Sequence, residues 1–312
     1  MLAIRVLLEG SIDYAGLFPP AGLDMAAAVR NYGAYRSGEA AWALGRFVLP
    51  MSRLAEFELA AGGLLPRAPT PDGWRLAVLA GSDPAGEIRT LGEFNCRHAA
   101  EGSAAVTADV VELKCDSVED IDRAADALPS YLQAYIEVPL RDNLEDLVAA
   151  ISRRGMRAKV RTGGVTPEAF PSSPQLLRFL RACIEAGVGF KATAGLHHPL
   201  RAVYRLTYAD DAPTATMYGF LNLFLAAAFL RAGMDESDAA ELLEEKFPQA
   251  FDVGPNHIGW RQHRLGHKEL ELARREAIVS FGSCSFTEPV ADLELLGLLQ
   301  PEEPLRGPDP RA

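Results

Sequence analysis

The feature that most constrains this chain is a pair of short apolar strands, each carrying a lysine, joined by one helix over residues 157–198. In the first strand Lys159 and Arg161 alternate with apolar residues, and in the second Lys191 follows an apolar residue. Side chains in a strand point to alternate faces, so Lys159 and Arg161 share one face. A strand-helix-strand unit places its two strands side by side and parallel. We therefore expect both lysines at the carboxyl end of a parallel sheet, where ligands bind.

The helix between these strands has a start signal and a stop signal. Ser173 is the predicted N-cap, and Pro174 stands at the first helical position. Leucines then recur at helical spacing until Gly187 ends the pattern. Proline at the first helical position and glycine just after the last one are typical of helices.

Strands of similar character recur along the chain and alternate with predicted helices, the first of which Asp24 would cap. These strands are predicted at residues 4–12, 45–49, 75–79, 106–115, 133–138 and 277–286. Eight strands that alternate with helices favour a closed barrel over an open sheet. We predict one α/β domain over residues 1–299, a (β/α)8 or TIM barrel.

Two regions depart from the regular alternation. Residues 199–276 are too long for one crossover, which predicts an insertion before the eighth strand with at least two helices. Within it, residues 217–230 are the most apolar run, too short to span a bilayer, so we expect a buried helix or a contact in a homodimer. Residues 300–312 are rich in proline and charge, which predicts a disordered tail.

Composition excludes several classes of function. The net charge of -11 argues against nucleic acid as a partner, because neutralising phosphates needs a basic face and the sequence offers none. The four cysteines are widely spaced, which disfavours a disulfide framework and a zinc site and predicts a reducing, cytoplasmic setting. The N-terminus resembles no signal peptide, and no glycine-rich nucleotide motif stands out, so we predict no membrane partner and no cofactor.

Charged residues recur where the predicted strands end, and buried charges are costly unless they bind something or each other. The set comprises Glu112, Lys114, Glu137, Lys159, Arg161 and Lys191. We expect all six to point into one cavity at the carboxyl end of the barrel; the alternative is an ion-pair layer that only fills the interior. Two lysines crowded beside an arginine should lower one another's pKa. A lysine with a lowered pKa is a nucleophile that forms Schiff bases with carbonyl compounds.

Several strands together resemble deoxyribose-phosphate aldolase and its class I aldolase relatives. The similar stretches, in chain order, are SIDYAGLFPPAGLD, LQAYIEVPLRDNLED, AKVRTGG, GVGFKATAG and SFGSCSF. Each motif is short, and their order along the chain carries the resemblance. In that family the lysine of the K-x-x-T-G pattern forms the Schiff base, which implies Lys159 here. The resemblance also implies that Lys191 perturbs it, that Glu112 relays protons where the family has aspartate, and that Asp13 is the first-strand aspartate.

The sequence departs from the family near the expected anion site. Gly195, Leu196, His197 and His198 replace a glycine and an arginine of the family pattern, and Arg161 replaces a small residue. Phosphate and carboxylate therefore both stay open as the substrate's anionic group. The predicted substrate-binding residues are Lys114, Arg161, Gly163, Gly164, His197, His198, Ser283 and Cys284.

The sequence thus predicts a lyase of the aldolase type that acts on a small anionic carbonyl substrate. The alternatives are an isomerase or decarboxylase that uses the same pocket without a covalent intermediate, and a barrel without catalysis that binds an anionic metabolite. Cys284 could instead serve as a nucleophile, although no histidine is paired with it in the sequence. His257, His263 and His267 suggest a metal, but no Cys, Asp or Glu completes a ligand pattern, so we predict none.

Overall fold

The computed structural model describes residues 2–81 and 83–299, and eight parallel strands form a closed barrel in it. The strands follow chain order around the barrel, and the last pairs with the first. They are β1 (Ile12–Tyr14), β2 (Leu44–Pro50), β3 (Trp74–Leu79), β4 (Val106–Lys114), β5 (Gln133–Glu137), β6 (Arg157–Arg161), β7 (Phe190–Thr193) and β13 (Ile278–Ser283). The predicted (β/α)8 barrel is confirmed. The predicted tail at 300–312 lies outside the described residues.

Helices alternate with the barrel strands. They are α1 (Ala3–Leu8), α2 (Met25–Arg36), α3 (Leu54–Ala61), α4 (Pro84–Ala99), α5 (Val118–Ala127), α6 (Leu144–Arg153), α7 (Ser173–Glu185) and α11 (Thr287–Leu295). Asp24 caps α2 as predicted, accepting a hydrogen bond from the backbone N–H of Ala27 at 2.7 Å. This cap satisfies one of the free donors at the start of the helix.

The first predicted strand, residues 4–12, is wrong over most of its length. Residues 3–8 form α1, and the strand itself begins only at Ile12. The buried residues of α1 include Ile4, Leu7 and Leu8, which recur at helical spacing. A short apolar run fits a buried strand and a buried helix equally well, so periodicity alone could not separate the two.

The predicted insertion before the eighth strand carries three helices, a hairpin and a small sheet. The helices are α8 (Phe220–Arg231), α9 (Glu236–Glu244) and α10 (His267–Glu276), and the hairpin is β8 (Ala202–Arg205) with β9 (Thr214–Met217). The strands β10 (Phe251–Val253), β11 (His257–Trp260) and β12 (His263–Gly266) form an antiparallel sheet. The sequence predicted the insertion and its helices but not these strands.

The apolar run at 217–230 becomes α8, which is buried as predicted. Residues 220–229 are all buried, and Phe220 stacks on Phe281 of β13 with ring centroids 4.8 Å apart. Neighbouring parts of the same chain cover this helix, so it no longer argues for a homodimer. No helix in the described ranges has the length and apolar character needed to cross a membrane.

The start of α7 differs from the prediction by one residue. Ser172 is the N-cap, and its backbone N–H donates to Gln175 at 2.9 Å. Ser173 instead lies inside the helix with a buried side chain, which is hydrogen-bonded to Tyr218 and Glu244. This serine therefore ties the barrel helix to the insertion, a tertiary role that local spacing could not indicate.

Candidate active site

Four barrel strands bring charged side chains into the interior at the carboxyl end. Glu112 comes from β4, Lys159 from β6, Lys191 from β7 and Asp13 from β1, and each is buried. Lys159 and Lys191 are direct partners in the register of β6 and β7. Adjacent strands lie about 5 Å apart, which accounts for the closeness of the two side chains.

The lysines alternate with carboxylates in one connected chain. The Nζ atom of Lys159 lies 2.7 Å from Glu112 and 2.9 Å from Glu137. The Nζ atom of Lys191 lies 2.6 Å from the other oxygen of Glu112 and 2.7 Å from Asp13. Glu112 is therefore shared between the two lysines, which hold one oxygen each.

Asp13 is held by contacts that the sequence did not indicate. Ser280 Oγ donates to Asp13 Oδ2 at 2.9 Å, and the backbone N–H of Arg46 donates to Oδ1 at 2.7 Å. Gly45 makes room for this carboxylate, because a Cβ atom at that position would lie 2.4 Å from Oδ1. Arg46 and Gly45 come from the neighbouring β2, whereas closure of the barrel is needed to bring Ser280 of β13 to Asp13.

For Lys191, the electrostatics of the cluster correct our expectation of a lowered pKa. Burial alone would lower the pKa of Lys191, but the charges of Asp13 and Glu112 outweigh burial and raise it above its ordinary value. Burial would likewise raise the pKa of Glu112, yet Lys159 and Lys191 lower it to about 2. Neighbouring opposite charges therefore decide the direction of both shifts, the carboxylates for Lys191 and the lysines for Glu112.

A cavity of about 210 Å³ opens above this cluster. It lies at the carboxyl end of the barrel and is large enough for a small molecule, because a water takes up roughly 30 Å³ in the liquid. Seven residues singled out from the sequence for the site line it: Glu112, Lys159, Arg161, Gly164, Lys191, His197 and Cys284. Phe18, Pro19 and Pro20 of the loop after β1 also line the cavity.

The remaining predicted residues do not line the cavity. Asp13 and Glu137 contact its lysines, and Ser283 is hydrogen-bonded to the lining His197. Gly163 packs against Phe170, whose ring would clash with a Cβ atom there.

Two residues predicted to point into the cavity do not line it. Lys114 is exposed at the last position of β4. His198 is drawn outward, because it stacks on Tyr204 with ring centroids 3.7 Å apart and its Nδ1 atom lies 2.6 Å from Asp292.

One wall of the cavity is formed by His197 and Cys284. The Nδ1 atom of His197 lies 3.3 Å from Ser283 Oγ and 3.7 Å from Cys284 Sγ, and burial lowers the pKa of this histidine to about 4. Burial also raises the pKa of Cys284. The wall is therefore neutral at pH 7, and the thiol form of Cys284 argues against a role as nucleophile. Tyr208 reaches this wall from the loop of the β8–β9 hairpin, with its hydroxyl 3.6 Å from Cys284 Sγ.

The turn after β7 is strained where it lines the cavity. Ala194 has a φ of 66°, which is uncommon for a residue with a side chain, and Gly195 follows with a φ of 73°. Thr162 holds this turn, because its hydroxyl donates to the carbonyl oxygen of Ala194 at 2.6 Å. Strain of this kind concentrates at functional sites. Gly195 was the one sequence signal for the turn. The K-x-x-T-G pattern contains Thr162 but did not indicate this hydrogen bond, and nothing marked Ala194.

The three histidines of the insertion have separate partners. His257 lies 2.9 Å from Asp252, His263 lies 2.6 Å from Asp238, and His267 contacts the carbonyl oxygen of Pro255 at 3.0 Å. Across residues 2–81 and 83–299, no group of three or more His, Cys, Asp or Glu side chains is arranged to hold a metal ion.

Comparisons with known proteins add little to this geometry. No protein-family model matches the chain, and no curated protein matches it in sequence. Among solved structures, a nitroalkane oxidase from Streptomyces ansochromogenes is similar to it, with a TM-score of 0.32 and 15% sequence identity. The match covers 63% of this chain and 62% of that one, so this chain spans less than two thirds of that protein's length. This likeness carries no argument about chemistry, and the resemblance to aldolases is supported only as far as the barrel.

Proposed function

We propose that this barrel is an aldolase-type lyase in which Lys159 forms a Schiff base with a small anionic carbonyl compound. The observation that carries the proposal is the position of Lys159, which lines the cavity while its Nζ atom lies between the carboxylates of Glu112 and Glu137. A carbonyl group bound in the cavity would meet this amine directly. The strand motifs that resemble class I aldolases imply the same residue.

The two lysines differ in a way that favours Lys159 as the nucleophile. Lys191 lies between two carboxylates whose side chains are only 2% exposed, and its pKa is raised, so it stays an ammonium ion at neutral pH. An ammonium ion has no free electron pair to attack a carbonyl carbon. One partner of Lys159, Glu137, is 17% exposed, so a proton can leave towards water on that side. Lys191 then acts as a fixed positive charge that holds Glu112 in place.

The charge arrangement suits the product of Schiff-base formation. When a lysine ammonium ion and a carbonyl compound condense, they yield a protonated iminium ion and one water molecule, and the positive charge is kept. The carboxylates of Glu112 and Glu137, which neutralise the ammonium ion of Lys159, would therefore neutralise the iminium ion equally well. Charges fixed in place before the reaction stabilise the charged intermediate without further rearrangement.

The proton steps are assigned from the same contacts. Glu137 is the group that accepts a proton from Lys159, because it lies 2.9 Å away and has access to solvent. Glu112 stays ionised, since its pKa is about 2, and contributes charge rather than proton transfer. The iminium ion then accepts the electron pair of the breaking carbon-carbon bond. A base takes the proton from the substrate's hydroxyl group, on the carbon that becomes the aldehyde. This step releases an aldehyde and leaves an enamine on the lysine.

Borohydride reduction tests the proposal, because it converts an iminium ion into a stable secondary amine. We expect incubation with a small aldehyde or keto acid, followed by borohydride, to give a mass increase that peptide mapping assigns to Lys159. Lys159→Ala should abolish the adduct. Lys114→Ala is the matched control, since this lysine is exposed at the same end of the barrel and should leave the adduct unchanged.

Two other outcomes would revise the proposal. An adduct on Lys191 would reverse the roles of the two lysines. If neither aldehydes nor keto acids gave an adduct on any lysine, Schiff-base chemistry would be excluded. Enolisation by an isomerase or decarboxylase, or binding without catalysis, would then be the better description of the cavity.

A further inference from the structure

Arg161 is the one predicted anion-binding cation that lines the cavity with its charge unopposed. Within the described parts of the chain it forms no ion pair and no hydrogen bond, and its side chain is exposed at the cavity mouth. It follows Lys159 by two residues, so both side chains point to the same face of β6, with their Cα atoms about 7 Å apart. One small molecule can therefore contact both groups.

The charges around the cavity favour a ligand with one negative charge over a ligand with two. Lys159, Lys191 and Arg161 are balanced by the carboxylates of Asp13, Glu112 and Glu137. His197 adds no positive charge at neutral pH. A bound carboxylate therefore adds one negative charge to a balanced site, whereas a phosphate ester adds nearly two.

Barrels often bind phosphate at the loops after the last two barrel strands, where the N-terminus of a helix offers free amides. In this protein such amides donate hydrogen bonds to carbonyl oxygens of the chain itself. After β7, the N–H groups at the start of α8 donate to the loop, from Phe220 to the carbonyl of His198 and from Leu221 to that of Pro199, each at 3.0 Å.

The corresponding donors after β13 are also occupied. The N–H of Glu288 in α11 donates to Ser285 Oγ at 3.2 Å, and the N–H of Ser285 donates to Ser283 Oγ at 3.4 Å. The carboxylates of Glu288 and Asp292 also lie on this helix and would repel a phosphate.

We propose that the cavity selects a short, unphosphorylated carbonyl compound with a single carboxylate, and that Arg161 anchors this carboxylate while the carbonyl carbon faces Lys159. The inference rests on the proposed function, because it names the substrate class of the same site. It differs from the aldolases that the strand motifs resemble, whose substrate carries a phosphate group.

Binding of two non-reactive anions tests this inference without requiring a Schiff base. Lactate carries a carboxylate but no aldehyde or keto group that an amine could attack. Glycerol 3-phosphate carries a phosphate group instead. Calorimetry with the full chain gives both affinities. We expect lactate to bind more tightly, and Arg161→Gln to weaken it roughly 10- to 100-fold, as expected for loss of a charged hydrogen bond. Lys114→Gln, which removes a cation at the same end without changing the cavity wall, should change lactate binding less than twofold.

The outcomes separate this inference from the proposed function. Lactate binding that depends on Arg161, together with no borohydride adduct from pyruvate, would support the carboxylate site and overturn the Schiff base. Tighter binding of glycerol 3-phosphate, no binding of lactate, or an equal loss in the Arg161→Gln and Lys114→Gln variants would each overturn the carboxylate site. A pyruvate adduct on Lys159 could still form in those cases. The proposed function would then hold without the carboxylate site.

Discussion

At the scale of single residues, the sequence indicated which charges belong together but not which atoms meet. The recurrence of charges at strand ends correctly grouped Lys159, Lys191, Glu112 and Glu137, because the carboxyl ends of parallel strands meet at one end of a barrel. It failed for Lys114, which is exposed at the last position of β4 and does not line the cavity. The direction of the pKa shift on Lys191 depends on two carboxylates within 3 Å, a detail that residue spacing does not contain.

Lys191→Met tests how much this lysine contributes to the stability of the fold. We expect the free energy of unfolding to fall by about 3–5 kcal/mol, because two buried carboxylates would lose their cation. Urea titration at pH 7 measures the change. The matched variant Lys114→Met should change the free energy by less than about 0.5 kcal/mol, as is usual at exposed sites. A loss below about 1 kcal/mol for Lys191→Met would mean that water or rearrangement compensates these carboxylates.

Stability should depend on pH through His197. Its pKa falls from 6.5 in the unfolded chain to about 4 in the fold, so the folded state resists protonation. Its contribution is present in full above pH 6.5 and is lost as the pH falls towards 4, by up to about 3 kcal/mol. The contribution of Glu112 is lost only between about pH 4.5 and 2. We expect the urea midpoint to drop between pH 7.5 and 5, and His197→Gln to reduce that drop; equal drops in both proteins would contradict this assignment.

At the scale of elements, buried strands and capped helices were the predictable parts. The strands from β2 to β7 and β13 carry apolar runs with clear breaks. By contrast, β8 alternates half-buried and exposed residues, and β9 buries only Met217, so neither has an apolar signature. The error at α1 has the related cause that a short apolar run has no unique period. The contact between β1 and β2 at Asp13 depends on how strands pair around the barrel, and local sequence did not indicate it.

Gly45→Ala tests this contact between β1 and β2. The new methyl group would collide with Asp13 Oδ1, so we expect a loss of about 1–3 kcal/mol and slower borohydride trapping, because Asp13 holds Lys191. Gly33→Ala is the control within α2, where the added atom would meet Trp74 at an ordinary 3.5 Å. That variant should be neutral or gain up to about 1 kcal/mol from helix propensity. Similar losses in both variants would show that the effect is not specific to Asp13.

At the scale of the whole molecule, barrel closure couples the two ends of the described chain. β13 pairs with β1 and β7, and Ser280 on β13 holds Asp13 on β1. A regular alternation of strands and helices was enough to predict the closed barrel. The composition of the tail predicted that the domain ends near residue 299.

Truncation tests where the domain ends and whether β13 is needed to close the barrel. A chain that ends after Leu299 should keep its melting temperature within about 2 °C and still form the adduct, because the barrel and its site lie within residues 2–299. A chain that ends after Glu276 lacks β13 and should lose cooperative unfolding, which calorimetry would show. A large loss from the shorter truncation would mean that residues 300–312 belong to the fold, contrary to the prediction.

The sharing of Glu112 between two lysines has a consequence for any pH profile of this protein. Because each lysine holds one oxygen of the same carboxylate, the ionisation of one amine alters the energy of the other. Interacting groups of this kind release protons in macroscopic steps that belong to the set of groups and not to any member. An inflection in a rate profile would therefore report on an ensemble of microstates distributed over Asp13, Glu112, Glu137, Lys159 and Lys191.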